Sequence, residues 1–213
     1  QYARFFSEDT VEAINLLKLP RYGLGNYIAD PPVRKLSDQE KQQLKGLSRA
    51  GQRLMGFCRT NLFKRLESSG EAFQQSIERH ILRNYVFLHA IENGLPFPLG
   101  TQEASLLDAS YFDEDVDDED ATAELTDQED GEQIAPPARL TLRTEQAFRQ
   151  RAAAVYRVYT KKFKRRFKWL NTDLFNIREP DPKNPQTIDN LLVDLRSDVA
   201  ILLHILTCCG DWN

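Results

Sequence analysis

The chain has 213 residues, 41% of them hydrophobic, and carries 28 basic against 32 acidic side chains for a net charge of -4. That length can bury one sizeable core, or two small ones, without disulfide or metal staples. No stretch of 18 apolar residues occurs, and "QYARFFSEDT" lacks the basic and then apolar layout of a signal peptide, which excludes both as readings and makes the cytoplasm the expected location.

Three cysteines, Cys58, Cys208 and Cys209, cannot make a disulfide framework, and they are expected to be reduced, small core residues. The chain starts at Gln1 and its single methionine is Met55, so it is expected to be a piece of a larger protein. The net charge conceals a segregation. Fourteen acids and no Lys or Arg lie between Glu103 and Glu132, and the remainder has 28 basic against 18 acidic residues, a net of +10. A basic body suggests an anionic partner, whereas an acidic block reads as a solvated loop, here 103–138.

In chain order, "SEDTVEAINLLKL" offers Ser7 as an N-cap and places Val11, Ile14 and Leu17 on one face of a helix that should stop at Pro20. A Gly- and Pro-rich loop follows. Ser37-Asp38-Gln39-Glu40 is a capping box, and it opens the longest apolar stripe in the chain, from Leu44 through Leu54, Cys58, Leu62, Leu66, Phe73, Ile77, Ile81 and Leu88 to Ile91. Gly94 and Pro96 end it. An unbroken helix from Ser37 to Asn93 would measure about 85 Å at ~1.5 Å per residue, so a break is expected near Gly51 and Gly56 or at Ser68-Ser69-Gly70.

Beyond the acidic block, a second long helix is expected from about Thr144 to Asn176, with Phe148, Ala152, Val155, Tyr159, Phe163, Phe167, Leu170 and Leu174 inward. A third, from Thr187 to about Cys209, is mostly apolar and is expected to be the buried central element. No useful strand pattern is visible. The fold class is therefore all-α: a long-helix bundle with one acidic loop, in a single helical domain over 1–213.

From Arg139 to Lys168 there are eleven basic residues and one acid. On a helical wheel Arg157, Lys161, Lys164 and Lys168 share a band of roughly 60° opposite the aromatic face. Phosphate contact along a DNA backbone is one reading of that ridge; a solvated face, or one paired with the acidic block, is the other.

Catalytic chemistry finds less support. "GLG" at Gly23 to Gly25 lacks the Gly-Lys-Ser/Thr ending of a phosphate loop and reads as a turn. His80 and His89 point to different sides of their helix, and His204 lies in an apolar run, which speaks against a shared metal site. "DEDVDDED" has neither the glycine nor the final glutamate of a calcium loop. No nucleophile with a local base stands out, so no catalytic residue is assigned, no metal is expected, and a metal-dependent hydrolase is the weakest class.

"TNLFKRLESSGEAF", at 60–73, carries a strip of small and polar residues, Asn61, Arg65, Ser68, Ser69, Ala72 and Ser76, beside the inward Leu62, Leu66 and Phe73. Such a strip suits the close approach of another backbone, and Lys64 and Glu67 can pair across one turn.

"NLFKRLESSGEAFQQSIERH" resembles a "NLLKRLESS-x-x-AF" signature of bacterial Swi/Snf-related superfamily-two helicases, where it lies in helical sequence inserted between the two ATPase lobes. The specific match is 61–80, with Phe63 where leucine is usual, and the surrounding order of helix, variable loop and basic helix is similar. The resemblance implies an accessory segment of a DNA-dependent ATPase that translocates on double-stranded DNA. In that reading Lys64, Arg65, Glu67, Ser68 and Ser69 dock on the lobes, while Arg157, Lys161, Lys164 and Lys168 face DNA. ATP and Mg belong to the parent lobes; this segment has no Walker A loop and no Asp-Glu-x-His box, so it needs no cofactor and is not an enzyme by itself. No membrane partner is implied. A stand-alone helical adaptor that binds another protein is the alternative.

Overall fold

The computed structural model describes residues 7–28, 35–100, 142–161, 167–175 and 188–209, and these are mostly helical, as an all-α class requires, with two short strands. The acidic segment lies outside the described residues.

Helix α1 (Glu8–Leu16) begins at Ser7, whose hydroxyl accepts from the Thr10 amide at 3.2 Å, with Glu8 and Asp9 in the first turn where the helix dipole favours them. Its buried face is Thr10, Ala13 and Ile14, continued by Leu17, while Val11 is 36% exposed. The inward stripe is thus rotated from the expected Val11–Ile14–Leu17 line. The helix also ends short of Pro20. The amides of Lys18 and Leu19 are captured by Asp198 before the proline is reached, and Leu19 takes a left-handed φ of 52°.

After a 3-10 turn (Leu24–Tyr27), α2 (Asp38–Ser68) starts at the expected capping box, Ser37 and Glu40 each bonding the other's backbone. Helix α3 (Gly70–Glu92) follows after one residue. That residue, Ser69, adopts φ -160° and ψ 126°, donates its amide to the Arg65 carbonyl at 3.0 Å, and accepts from the Ala72 amide through its hydroxyl at 3.3 Å. Ser69 closes one helix and opens the next. Cys58 and His80, each eleven positions from Ser69, touch at 3.6 Å, so the two helices fold back as an antiparallel hairpin.

Of the breaks expected from sequence, Ser68-Ser69-Gly70 is the one that forms. Gly51 remains helical and buried for a different reason: a β-carbon there would come within 3.0 Å of the Tyr22 carbonyl oxygen. It is a close-approach glycine.

Helix α3 ends at Asn93, and Gly94 takes φ 61° as a left-handed terminator. Strand β1 (Phe97–Gly100) then pairs antiparallel with β2 (Phe167–Leu170), Phe97 opposite Leu170 and Leu99 opposite Lys168. Between them in sequence lies α4 (Glu145–Lys161); a second 3-10 turn (Thr172–Phe175) follows β2, and α5 (Ile188–Cys209) is the last described element.

Two expectations fail here. The second long helix is α4 alone, and Phe167–Leu170 is a strand, because the β1 backbone released after Pro96 finds its hydrogen-bond partner there while Phe167 and Trp169 join an aromatic cluster. Phe97 packs on Phe87 at 4.8 Å and on Phe175 at 5.3 Å, and Tyr156, whose hydroxyl donates to the Pro96 carbonyl at 2.8 Å, meets Trp169 at 5.9 Å.

The central element is α3, which packs against α2, α4, α5 and β1 and buries more than half of its 23 residues. Helix α5 is one-sided: Leu191, Leu195, Val199, Leu202 and Leu206 are buried, whereas Val193 is 58% exposed.

Replacing Ser69 with Ala removes the cap that starts the central helix. Denaturant unfolding of Ser69→Ala is expected to show a loss of about 1 kcal/mol with an unchanged slope, the usual worth of an N-cap; no loss would mean the turn is held by packing alone.

Candidate docking and nucleic-acid-binding surfaces

Polar chemistry concentrates where the α1 exit meets α5. The buried carboxylate of Asp198 accepts from the Lys18 amide at 2.8 Å and the Leu19 amide at 2.7 Å. One turn earlier, Asp194 accepts from Tyr27 Oη at 2.7 Å and from Lys18 Nζ at 2.5 Å. From α2, Arg59 donates to the Leu17 carbonyl. Burial pushes the Asp198 carboxyl up to about 6, against the lowering pull of the two amides and Arg21. Burial and Asp194 also raise the Tyr27 phenol, while Asp194 raises the exposed Lys18. The Lys18 and Leu19 amides, Lys18 Nζ, Tyr27 Oη and Arg59 Nη2 each meet an acceptor from another element, which makes the cluster a clamp on the chain path, although the buried Arg59 Nε has no partner among the described residues.

His80 is buried beside the clamp. Arg21 Nη2 stands 3.1 Å from His80 Nδ1, and Arg21 Nε donates to Asn84 Oδ1 at 2.6 Å. A guanidinium can only donate, so Nδ1 is the acceptor and the ring proton lies on Nε2, facing Cys58 Sγ. The spacing is that of a nucleophile and its base, but the polarity is reversed. A catalytic base needs a bare Nε2 and an acceptor at Nδ1. Burial first, then Arg21, Arg83, Arg79 and Arg65, holds the imidazole neutral, well below its ordinary range. The Cys58–His80 pair is a core contact.

The other histidines stand apart. His89 meets the Tyr156 ring at 5.5 Å, and His204 is exposed beside Cys208. Cys208 is exposed, which corrects its expected place in the core, because position 208 falls on the outward arc of α5. Among the described residues no three of His, Cys, Asp or Glu converge on one point as metal ligands would.

The 61–73 stretch is the hairpin turn. Leu62, Leu66 and Phe73 are buried, Lys64, Glu67 and Ser68 are exposed, and Arg65 and Ser69 are half-buried. Lys64 and Glu67, one turn apart, are both exposed to solvent. The run of small residues has a local cause: Ser69 caps, Ser68 Oγ donates to the Arg65 carbonyl at 3.2 Å, and buried Gly70 fits the reversal. Close approach of a second backbone is not needed to explain it.

The basic ridge is shorter than its wheel implied. Arg157 and Lys161 are exposed on α4, and Lys164 lies outside the described residues. Lys168 is on β2, opposite Leu99, where strand alternation puts it on the sheet face away from Phe167 and Trp169. It cannot continue a helical ridge. Arg143, two residues ahead of α4, pairs with Glu78 at 3.1 Å and Arg149 on α4 pairs with Glu92 at 3.4 Å, so two of the eleven basic residues tie this segment to α3. Sequence reasoning missed the Asp194–Asp198 clamp; two acids four apart on a mostly apolar helix were the available signal.

Asp198 supplies a pH test. Its folded ionisation near 6 lies above the unfolded value of about 3.9, so its contribution to stability is full below pH 4 and is lost as pH rises through 6. Relative to Asp198→Asn, the wild-type protein should lose up to ~3 kcal/mol of unfolding free energy between pH 4 and 7; parallel pH profiles would contradict the assignment. Among known proteins, no family model, no curated protein and no solved structure matches this chain.

Proposed function

We propose that the chain is an accessory helical segment of a DNA-dependent ATPase of the Swi/Snf-related superfamily-two kind, coupling the ATPase lobes to duplex DNA without being catalytic itself. The observation that carries the reading is the 61–80 resemblance together with its form: a helix hairpin whose residues Lys64, Glu67 and Ser68 are exposed beside half-buried Arg65 and Ser69 at the turn, the surface the reading assigns to an ATPase lobe. Arg157 and Lys161, exposed one turn apart on α4, contact DNA phosphates. ATP and Mg act in the lobes, and the location is cytoplasmic. Among the described residues no helix is long and apolar enough to cross a membrane, in keeping with a partner list of DNA and protein.

A helical adaptor reading draws on the outward face of α1, where Val11 and Leu16, 36% and 60% exposed, sit among Glu8, Glu12 and Asn15. Coding sequence for two ATPase lobes on either side of this segment would decide against it.

Arg157→Glu/Lys161→Glu is the direct test. Duplex binding should weaken, and the slope of log affinity against log salt should become shallower by at least about 1.8, from ~0.9 per phosphate. In the parent ATPase, DNA stimulation should fall while basal hydrolysis stays. Unchanged binding and stimulation would remove the DNA role of α4.

A further inference from the structure

Two cysteine–histidine pairs occur in this fold, alike in spacing and opposite in setting. Cys58 and His80 touch at 3.6 Å in the core, and Arg21 at Nδ1 fixes the ring proton on Nε2, so no lone pair faces the sulfur. Cys208 Sγ stands 3.7 Å from His204 Nε2 in the last turns of α5, and both residues are exposed. Among the described residues no hydrogen-bond or charge partner stands at His204 Nδ1. That ring is free to carry its proton on Nδ1 and to turn a bare Nε2 toward the point in space that the sulfur also faces.

The separation is that of two ligands on one metal ion. Zinc holds an imidazole nitrogen at ~2.0 Å and a thiolate sulfur at ~2.3 Å, and a tetrahedral angle between them spans about 3.6 Å. Helix geometry supplies that span, because positions four apart lie about 40° from one another around the axis and one turn apart along it. A thiolate with an imidazole suits zinc and does not suit calcium or magnesium, which take oxygen ligands. Two ligands leave the tetrahedron half filled, and among the described residues no third His, Cys, Asp or Glu converges on the pair.

The surroundings suit a second copy of the chain. Exposed Val193, Ala200 and Thr207 share the outward strip of α5 with His204 and Cys208, and the charge on that strip from Val193 onward, Arg196, is engaged by Glu92 at 3.4 Å. About a two-fold axis each copy presents the same pair, and two nitrogens with two sulfurs make a complete Cys2His2 set. Each thiol gives up its proton on binding, so the two thiolates balance the charge of the zinc ion and the joined face carries no net charge from the site. We propose that His204 and Cys208 are half of a zinc site completed by the same two residues of a second copy, so that zinc joins two chains through the C-terminal turns of α5. Neither residue takes part in the function proposed above, and the site does not depend on it.

The test titrates the whole chain, kept reduced with a phosphine, with cobalt(II) as a coloured stand-in for zinc. The visible band of four-coordinate cobalt and a thiolate-to-cobalt band should rise together, saturate at one metal per two chains, and be bleached by zinc. Sedimentation should show the mass doubling when zinc is added at one ion per two chains, and returning to that of a single chain with EDTA. His204→Ala and Cys208→Ser should each abolish the bands and the doubling while thermal unfolding stays as in wild type, because both side chains are exposed. Should either variant lose cooperative unfolding, His204→Gln or Cys208→Ala replaces it and is read in the same way. Cys209→Ser should keep both the bands and the doubling. Absence of a thiolate band in wild type, bands that survive in Cys208→Ser, bands lost in folded Cys209→Ser, or saturation at one metal per chain with unchanged mass each overturn the site.

Discussion

Everything in this fold is referred to the reversal at Ser69. One residue leaves helical geometry, and a stretch that would have run about 85 Å as one rod becomes a hairpin whose arms cover each other. The energetics favour the turn because the apolar stripe continues through it. Leu62 and Leu66 on one arm and Phe73, Ile77 and Ile81 on the other are all buried, and none could be if the rod were straight. Ser69 satisfies an orphan donor of the new helix with its hydroxyl, so the reversal exposes little unpaired backbone. Helix α3, thus placed, becomes the support for α4, α5 and the small sheet.

The clamp at the α1 exit is the second constraint, and it differs in kind. On α5 the almost wholly buried Asp198 holds a backbone turn that includes a left-handed Leu19, and Asp194 holds the Lys18 and Tyr27 side chains beside it. Burying a carboxylate is costly, and the two amides and Arg21 offset only part of it, which is why the carboxyl ionises near 6. What the arrangement supplies is position. With Leu17, Lys18 and Leu19 fixed, Arg21 can reach His80 and Asn84, and the neutral ring is then committed to Cys58. A Cys and a His side by side in a core become inert through the identity of the third group.

Much of this could be read from residues alone, and the failures share a cause. The Ser7 N-cap, the capping box at Ser37, the helix end at Gly94 and the weak point at Ser68-Ser69-Gly70 are local, decided by residues acting on their own neighbours, and sequence shows them. Val11 pointed outward, Lys168 sat on a strand and α1 stopped before Pro20 because distant residues intervened: α5 captured amides, and β1 offered a ladder to Phe167–Leu170. Apolar spacing at Phe163, Phe167, Leu170 and Leu174 suits a helix, but spacing cannot anticipate a partner strand about seventy residues earlier. The basic ridge inherited that error. The exposed cations of Arg157 and Lys161 stood in the sequence plainly; that Arg143 and Arg149 serve α3 instead depends on packing.

The parts join in a helix hairpin whose central arm carries Glu78 and Glu92 paired with Arg143 and Arg149, and which leaves Arg157 and Lys161 exposed on α4 for the DNA contact proposed above. Arginine and lysine footprinting of the whole chain, with and without duplex DNA and read by mass spectrometry, tests it most directly. Protection centred on Arg157 and Lys161, with exposed Arg53 left reactive, is the result expected. Equal modification with and without DNA at those two positions would contradict it.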